Sequence, residues 1–385
     1  MKLRIGKPYL EHVMGKVRVC ASISQEEHEP YIAWYEFETK YEEYICIERA
    51  DAFVINVLLY AMEHGLDIEC EQVLSEKLYY HINEYLIPCI SKNIRKYQRI
   101  LVDAPISNEK LECKNAVGAS LSGGVDSFYT LAKHISRKEK SFEITHLTFF
   151  NAGASGSYGG EEARKKYLDR IDWIKEVADC VNKEFICVDT NFNEFLKQDH
   201  RSTHTFRTLS IPLVLQKLFA KYYFATGYAL PHFEFCSIDT ADYDLLNVAC
   251  FETETISFYA SGIEATRMDK LKEIVNFEIT EQYLNVCVSE AVNCGKCEKC
   301  RRTMMGLYAL GKLEKYKAVF DLDYFNDHRE SYFDLVYAKR DEHDWAEIYA
   351  LMNKNEFTIR NYLIGTSMRL FVKAKKIAKK IIYKE

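Results

Sequence analysis

The segment with the clearest chemistry in this chain consists of Ser122, Gly123, Gly124, Val125, Asp126 and Ser127. It follows the small apolar run 116–121, which predicts a strand, and it precedes 128–134, which predicts a helix. A strand, a glycine-rich turn and a helix start together direct backbone N–H groups at a phosphate. The glycines allow close approach of the backbone, the serines add hydroxyl donors, and Asp126 could orient a nucleotide group or Mg²⁺. The alternative is an ordinary glycine turn. The segment lacks the lysine and the spacing of a Walker A loop.

A second group of residues has the spacing of metal ligands, namely Cys287, Cys294, Cys297 and Cys300. Four thiolates spaced in this way can close a tetrahedral Zn²⁺ site, and Gly295 would relieve the tight turn between two of them. The chain has 13 cysteines, an odd number, which disfavours a disulfide framework. A redox-active Cys-x-x-Cys pair remains an alternative, because a thiol relay uses the same spacing.

The Ser-Gly-Gly-x-Asp-Ser segment resembles the PP-loop of the ATP pyrophosphatase superfamily. A PP-loop followed far downstream by Cys…Cys-Gly-x-Cys-x-x-Cys resembles the 7-cyano-7-deazaguanine synthase family, which makes the queuosine precursor. The resemblance covers about residues 114 to 310 by pattern. The intervening segments that match the family's pattern are 144–150, 185–189, 205–208, 222–227 and 266–274.

The resemblance implies an α/β fold whose parallel-sheet core is of the PP-loop, adenine nucleotide alpha hydrolase-like (HUP) type. It implies ATP, Mg²⁺ and Zn²⁺ as cofactors, and a reaction that converts ATP to AMP and pyrophosphate while activating a carboxylate or amide. The catalytic residues expected from it are Ser122, Asp126, Ser127 and Arg207. The nucleotide-binding residues expected are Ser122 to Ser127 and Gly227. The metal ligands expected are Cys287, Cys294, Cys297 and Cys300.

The chain departs from the family pattern in ways that leave its substrate open. A long region precedes the PP-loop, another follows the cysteines, and Thr208 replaces an expected Asn. Relatives with added domains occur in bacterial defence clusters, which suggests attachment of a deazaguanine to a protein. Three alternatives stay open: a PP-loop enzyme that adenylates another acid, such as a cell-wall or polysaccharide precursor, a tRNA sulfurtransferase, or a non-catalytic nucleotide-binding scaffold.

Composition and pattern predict three regions in a cytoplasmic protein. Residues 1–112 predict an N-terminal α+β domain, 113–310 the PP-loop domain with alternating strands and helices, and 311–385 a helical C-terminal region. Hydrophobic residues make up 48% and charged residues 28%, as in globular proteins. The start of the chain lacks the apolar run of a signal peptide, and no apolar stretch is long enough to span a membrane.

The net charge and the family resemblance lead to expectations about the binding partners of the chain. The net charge of −6 argues against an extended nucleic-acid surface. The expected partners are a small-molecule acid or deazaguanine, a possible protein substrate, and further copies of the chain in a homo-oligomer. The basic segment 368–384 could instead lie on a membrane or on nucleic acid, although packing against its own domain is the simpler interpretation.

Other polar residues at strand ends complete the set of candidates. The glycine-rich segment 151–160 could close over ATP as a lid or be a surface loop. Arg207 could neutralise phosphate charge in the transition state, or it could have a capping or surface role. The candidate carboxylates for orienting a substrate or binding Mg²⁺ are Glu161, Glu162, Asp239, Asp242, Asp244 and Glu264.

Overall fold

The computed structural model describes residues 1–25, 29–288 and 290–383, and it gives the backbone but not the side chains of residues 372–383. Its strands are β1 (Lys2–Ile5), β2 (Tyr9–Val13), β3 (Lys16–Gln25), β4 (Tyr31–Glu38), β5 (Asp67–Cys70), β6 (Leu74–Ser75), β7 (Val102–Asp103), β8 (Ile106–Ser107), β9 (Ala116–Ser120), β10 (His146–Phe150), β11 (Glu184–Thr190), β12 (Phe219–Ala225) and β13 (Ser257–Ser261). Its α-helices are α1 (Asp51–His64), α2 (Glu76–His81), α3 (Ile87–Asn93), α4 (Val125–His134), α5 (Gly160–Cys180), α6 (Phe192–Leu196), α7 (His204–Val214), α8 (Asp244–Cys250), α9 (Arg267–Ile274), α10 (Thr280–Tyr283), α11 (Glu298–Ala309), α12 (Leu322–Asp327), α13 (Arg329–Ala338), α14 (His343–Leu351) and α15 (Ile359–Tyr383).

Eleven of the described strands form one sheet, in the order β13-β12-β9-β10-β11-β4-β3-β1-β5-β7, with β2 paired to β3. From β13 to β11 every neighbouring pair is parallel. Strands β9 and β10 are buried along most of their length, as expected for parallel strands covered on both faces. The sheet turns antiparallel from β11 through β4 and β3 to β1. The fold is therefore α/β with a large central sheet, and the predicted parallel part is present.

The chain forms two compact units, which we call unit 1 and unit 2. Unit 1 comprises Met1–Ser122 and Thr130–Glu264, and unit 2 comprises Gly123–Tyr129 and Ala265–Glu385. This partition differs from the three predicted ranges 1–112, 113–310 and 311–385. The physical reason is the pairing of β4 with β11, which places strands β1 to β5 and β7 in the same sheet as the predicted PP-loop core. As functional domains, the three ranges stay a prediction.

A buried polar contact also joins the N-terminal region to the rest of unit 1. The Tyr35 hydroxyl donates to Ser210 Oγ at 3.0 Å, and Asn56 Nδ2 donates to the Tyr35 oxygen at 2.7 Å. All three side chains are at most 3% exposed. Helix α1, which carries Asn56, ends at His64, and Gly65 follows it with φ +64° in the left-handed region that glycine adopts readily.

Unit 2 is helical, as predicted for the C-terminal region. The described part of residues 311–383 contains α12 to α15 and no strand. Helix α15 runs to Tyr383, but the side chains of the predicted basic face from residue 372 onward lie outside the described residues. Across the described ranges, every helix is too short or too polar to cross a bilayer.

Candidate functional site

The predicted phosphate loop lies at the end of a parallel strand and the start of a helix. Strand β9 ends at Ser120, and Leu121 still pairs with the next strand, since its N–H donates to the Thr148 carbonyl at 2.8 Å. Gly123 has φ +79°, which only glycine adopts without strain. Ser127 Oγ donates to the Gly124 carbonyl at 3.0 Å and thereby tightens the first turn of α4. In unit 1, the carboxyl ends of β9 to β13 share one edge of the sheet, where ligands bind in such folds.

Asp126 in unit 2 holds two cationic side chains. Its Oδ1 lies 2.9 Å from Lys270 Nζ, and its Oδ2 lies 3.1 Å from the Arg267 guanidinium. The Lys270 side chain is only 1% exposed, which is rare for lysine and requires a charged or polar partner. Burial alone would raise the pKa of Asp126, but the charges of Arg267 and Lys270 outweigh it and hold that pKa below its usual value. Asp126 is therefore ionised at neutral pH, and both of its oxygens are engaged.

Arg302 adds a third cation to this group. It pairs with Asp344 at 2.5 Å, and Asp344 also lies 3.9 Å from Arg267. Burial and the nearby Arg267 charge lower the pKa of Arg302, which is the effect expected where cations are crowded together. Arg267, Lys270 and Arg302 are thus the three cations of one cluster. Its two carboxylates are Asp126 and Asp344. The cluster has an excess of one positive charge and is suited to an anion.

Sequence reasoning missed Lys270 and Arg267 as site residues, although their segment carried a usable signal. Thr266 and Asp269 form a capping box, with Thr266 Oγ1 accepting from Asp269 N at 3.3 Å and Asp269 accepting from Thr266 N at 3.3 Å. A Thr-x-x-Asp pattern marks a helix start. Residues three apart in a helix lie on the same face. A helix that begins after Thr266 therefore places the side chains of Arg267 and Lys270 next to each other.

The cysteine quartet lies in one place in unit 2. The four sulfur atoms of Cys287, Cys294, Cys297 and Cys300 lie within 4.8 Å of one another, and Cys294 Sγ is 4.0 Å from Cys300 Sγ. At Zn–S bonds of about 2.3 Å, a tetrahedral site needs sulfur atoms about 3.8 Å apart. Gly295 has φ +68°, as the turn between two ligands requires. The group could hold a metal ion such as zinc.

Backbone N–H groups point at these sulfur atoms, as they do around metal-bound thiolates. Cys297 N and Lys296 N donate to Cys294 Sγ at 3.3 and 3.4 Å, and Glu290 N donates to Cys287 Sγ at 3.3 Å. Such contacts orient the ligands and offset their negative charge. The cysteines of the described residues are all free thiols, so the disulfide alternative finds no pair in this structure.

The cysteine segment is hydrogen-bonded to the predicted phosphate loop within unit 2. Asn285 N donates to the Gly123 carbonyl at 2.8 Å, and Asn285 Oδ1 accepts from Cys287 N at 3.2 Å. Asn293 also holds the segment around Asn285, since its side chain donates to the Leu284 carbonyl at 2.7 Å and accepts from Val286 N at 2.8 Å. A metal ion that orders the cysteines would therefore also order the residue that contacts Gly123.

Arg207 occupies a buried position in unit 1 and is bound by oxygens of its own chain. Its guanidinium donates to the carbonyls of Ser157 and Gln198 and to Asn193 Oδ1, at 2.8 to 2.9 Å, and the residue is 1% exposed. Burial lowers the pKa of Arg207 to about 10, so it stays charged at neutral pH. Arg207 thus connects Ser157 of the 151–160 segment with Asn193 and Gln198. Its predicted catalytic role stays a prediction.

Gly227 and the glycine-rich segment lie at the carboxyl edge of the sheet in unit 1. A Cβ on Gly227 would meet only Ala241 Cβ at 3.6 Å, an ordinary contact, so folding does not demand glycine there. Gly153 does require glycine, because its φ is +101° and a Cβ would come within 2.9 Å of Arg207. Ser157 of the same segment accepts from His200 N at 3.1 Å. The segment is thus bound to its surroundings, and its predicted lid movement stays a prediction.

Most of the candidate carboxylates have structural partners. Glu162, Asp239 and Glu264 form ion pairs with neighbouring basic side chains. Asp244 is different, because it is 2% exposed and accepts a 2.5 Å hydrogen bond from Thr205 Oγ1. Burial raises the pKa of Asp244 to about 6. Asp242 lies with Glu234 and Cys236 in a partly exposed group whose ligand atoms are within 4.8 Å of one another.

No protein-family model, curated protein or solved structure matches this chain.

Proposed function

We propose that the chain binds the phosphates of ATP on the Ser122–Ser127 loop and transfers AMP from ATP to an oxygen atom of a substrate. The observation that carries this proposal is the ion pairing of Asp126, in the first turn of α4, with Lys270 and Arg267. A glycine turn at a helix start is by itself a common structure. A glycine turn joined to a buried lysine and an arginine is an arrangement suited to a polyphosphate.

In the proposed reaction, a carboxylate oxygen of the substrate attacks the α phosphorus of ATP. A bond forms between that oxygen and phosphorus, and the bond from phosphorus to the bridging α–β oxygen breaks. Pyrophosphate leaves with the electron pair. Lys270 and Arg267 would stabilise the negative charge that builds on the leaving pyrophosphate, while the loop N–H groups bind the phosphate oxygens. Asp126 acts as a positioning residue because it holds both cations in place.

A second step completes the proposed reaction. The nitrogen of ammonia or an amine attacks the activated carbonyl carbon, AMP leaves with its bonding pair, and the nitrogen loses a proton to solvent. The product is an amide. A second adenylation, on the amide oxygen, followed by loss of AMP and a proton would give a nitrile, as the resemblance to 7-cyano-7-deazaguanine synthases implies.

Mg²⁺ fits Asp126 poorly. Both carboxylate oxygens of Asp126 are engaged by cations at 2.9 and 3.1 Å. A metal ion at this carboxylate would have to displace the buried Lys270. Any Mg²⁺ that accompanies ATP would therefore be bound mainly by the phosphates themselves, as is usual for this ion.

Zinc fits the cysteine quartet, and we propose a structural role for it. Cys287, Cys294, Cys297 and Cys300 would supply four thiolates and leave no open position for a substrate. A closed site of this type stabilises local folding rather than taking part in the reaction. Here it would order Asn285, whose N–H binds the Gly123 carbonyl.

The substrate class that we propose is a carboxylated planar heterocycle, namely a 7-carboxy-7-deazaguanine. The support for it is the pairing of a PP-loop with a downstream cysteine quartet, which resembles that branch of the superfamily. Attachment of such a base to a protein, or adenylation of a different acid, would use the same loop and the same cations. The identity of the substrate is thus separable from the adenylation chemistry.

The test is turnover of ATP labelled on its α phosphate by the purified full-length chain with Mg²⁺. We expect labelled AMP and pyrophosphate when 7-carboxy-7-deazaguanine and ammonia are both present. AMP formed equally with other carboxylic acids would retain adenylation and reject the deazaguanine. Formation of ADP, or no turnover with any acid tested, would overturn the proposed reaction.

A further inference from the structure

Helix α15 of unit 2 exposes three of its large aliphatic residues in a line. Ile359 is 78% exposed, Leu363 is 68% exposed and Leu370 is 62% exposed. The second and third follow the first by four and eleven residues, which correspond to about one and three turns of an α-helix, so all three share one face. We call these residues the apolar row. Contiguous exposed apolar surface of this kind marks a site of interaction with a protein or a membrane.

The opposite side of α15 fixes the direction in which the apolar row points. Asn361 is fully buried, and its Nδ2 donates to Asp334 Oδ1 of α13 at 2.8 Å. Gly365 lies so close to α13 that a Cβ would come within 2.9 Å of the Asp334 carbonyl oxygen. Arg369 pairs with Asp341 farther along the helix. The helix therefore packs on its own unit through polar and small residues, and it cannot turn to bury the apolar row without breaking these contacts.

The sequence of α15 is strongly basic. Residues 359–384 include eight of the chain's 51 Lys and Arg residues and none of its 57 Asp and Glu residues. Six of the eight are lysines between positions 373 and 384, where the side chains lie outside the described part of the chain. The backbone continues as a helix to Tyr383, and the apolar residues at 374, 377 and 381 occupy the same helical register as Leu370. An apolar row with many lysines and no acid is typical of a helix that lies on an anionic membrane.

The packing and the charge of α15 together select a flat anionic surface as its partner. Helix α13 covers α15 at Asn361 and Gly365, so a protein groove that encloses a whole helix cannot close around it there. A nucleic acid would attract the lysines but would leave the apolar row in water. A bilayer with anionic lipids accommodates both features, because leucine side chains enter the boundary between headgroups and acyl chains while lysines stay beside the anionic headgroups.

We propose that α15 binds the surface of a membrane that contains anionic lipids, and that it lies parallel to this surface with Ile359, Leu363 and Leu370 inserted among the headgroups. The helix rests on the bilayer and does not cross it, in agreement with its polar composition. The proposal does not depend on the proposed adenylation, because it uses no residue of the predicted phosphate loop.

The test is co-sedimentation of the full-length chain with two kinds of vesicle. One kind is pure phosphatidylcholine, and the other contains phosphatidylglycerol as about one lipid in three. We expect saturable binding to the anionic vesicles and at least about tenfold weaker binding to the neutral ones. Binding to the anionic vesicles should also weaken at least about tenfold when NaCl is raised from about 0.1 to 0.5 M, because salt screens the lysine charges.

A double variant separates the apolar row from the charge. Leu363→Ser with Leu370→Ser removes two members of the row and keeps every lysine, and it should weaken binding to the anionic vesicles at least about tenfold. The matched control is Leu168→Ser with Leu351→Ser, which changes two exposed leucines on α5 and α14. The control should bind these vesicles as the wild-type chain does.

A triple variant removes charge and keeps the apolar row. Lys375→Gln, Lys376→Gln and Lys379→Gln together should reduce both the preference for anionic vesicles and the effect of salt on binding. An unchanged preference in this variant would contradict the role of the lysines.

Three further results would overturn the proposal. They are the absence of binding to anionic vesicles, equal affinity of the wild-type chain and the leucine double variant for them, and displacement of the vesicles by a DNA duplex that both chains bind equally well. The last result would favour nucleic acid as the partner. Circular dichroism checks that each variant is folded. If the double variant fails to fold, Leu363→Ser alone replaces it and is expected to reduce affinity for the anionic vesicles.

Discussion

The backbone N–H of Asn285 donates to the carbonyl oxygen of Gly123 at 2.8 Å, which links the cysteine segment to the proposed phosphate loop. Asn285 precedes the first cysteine of the quartet by two residues and accepts a hydrogen bond from its N–H. The conformation of Gly123 at φ +79° is thus supported by a segment that also carries the four clustered cysteines. Metal binding and nucleotide binding should consequently be coupled.

Removal of the metal should weaken nucleotide binding. Cys297→Ala is expected to yield insoluble or zinc-free protein, because a closed zinc site contributes on the order of 10 kcal/mol to local folding. Cys180→Ala, at an exposed cysteine outside the quartet, is the matched control and should retain zinc. Zinc content by mass spectrometry and the dissociation constant for ATP provide the measurements. Soluble Cys297→Ala protein with normal ATP affinity would reject both the structural role and the coupling.

Asp244 should impose a pH dependence on stability. Its pKa is raised to about 6 in the folded state, above the ordinary value near 3.9. The folded protein therefore binds more protons than the unfolded chain between these values, so this contribution to stability is full below about pH 4 and is lost as pH rises through about 6. Asp244→Asn should remove that slope, which amounts to about 3 kcal/mol in total. Urea unfolding at several pH values measures it, and an unchanged slope would contradict the assignment.

Arg207 should be essential for the 151–160 segment. Arg207→Met removes three hydrogen bonds, two of them buried, and is expected to cost about 3 kcal/mol of unfolding free energy. The control is Arg201→Met, which changes an exposed arginine shortly before Arg207 in the chain. It should cost less than about 1 kcal/mol of unfolding free energy. Denaturant unfolding and proteolysis within 151–160 are the readouts. An Arg207→Met variant that keeps full stability but loses turnover would favour the predicted catalytic role instead.

Two glycines should respond differently to alanine. Gly123→Ala forces a side chain into the left-handed region and should cost about 1–2 kcal/mol, with a matching loss of ATP affinity. Gly227→Ala should leave stability unchanged, because its Cβ would meet only an ordinary contact at 3.6 Å. Thermal unfolding of the two variants measures this difference in stability. A fall in ATP affinity for Gly227→Ala without loss of stability would support the predicted approach of the nucleotide to Gly227.

The sequence predicted those features that local pattern determines. The turn between β9 and α4 and the grouping of Cys287 to Cys300 each depend on residues close together in the chain. The contact of Asp126 with Lys270 spans 144 residues, and nothing local to either residue specifies the other. The pairing of β4 with β11 was missed for the same reason, because an antiparallel partner is chosen by tertiary packing.

The most direct test of the account compares Lys270→Met with Lys272→Met in the formation of labelled AMP from ATP. Both lysines are on α9, but Lys270 is buried against Asp126 and Lys272 is about half exposed. We predict that Lys270→Met loses AMP formation at least about 100-fold while Lys272→Met stays within about twofold, because only Lys270 would act on the pyrophosphate. Equal rates in the two variants, with both folded, would contradict the assignment of the phosphate site.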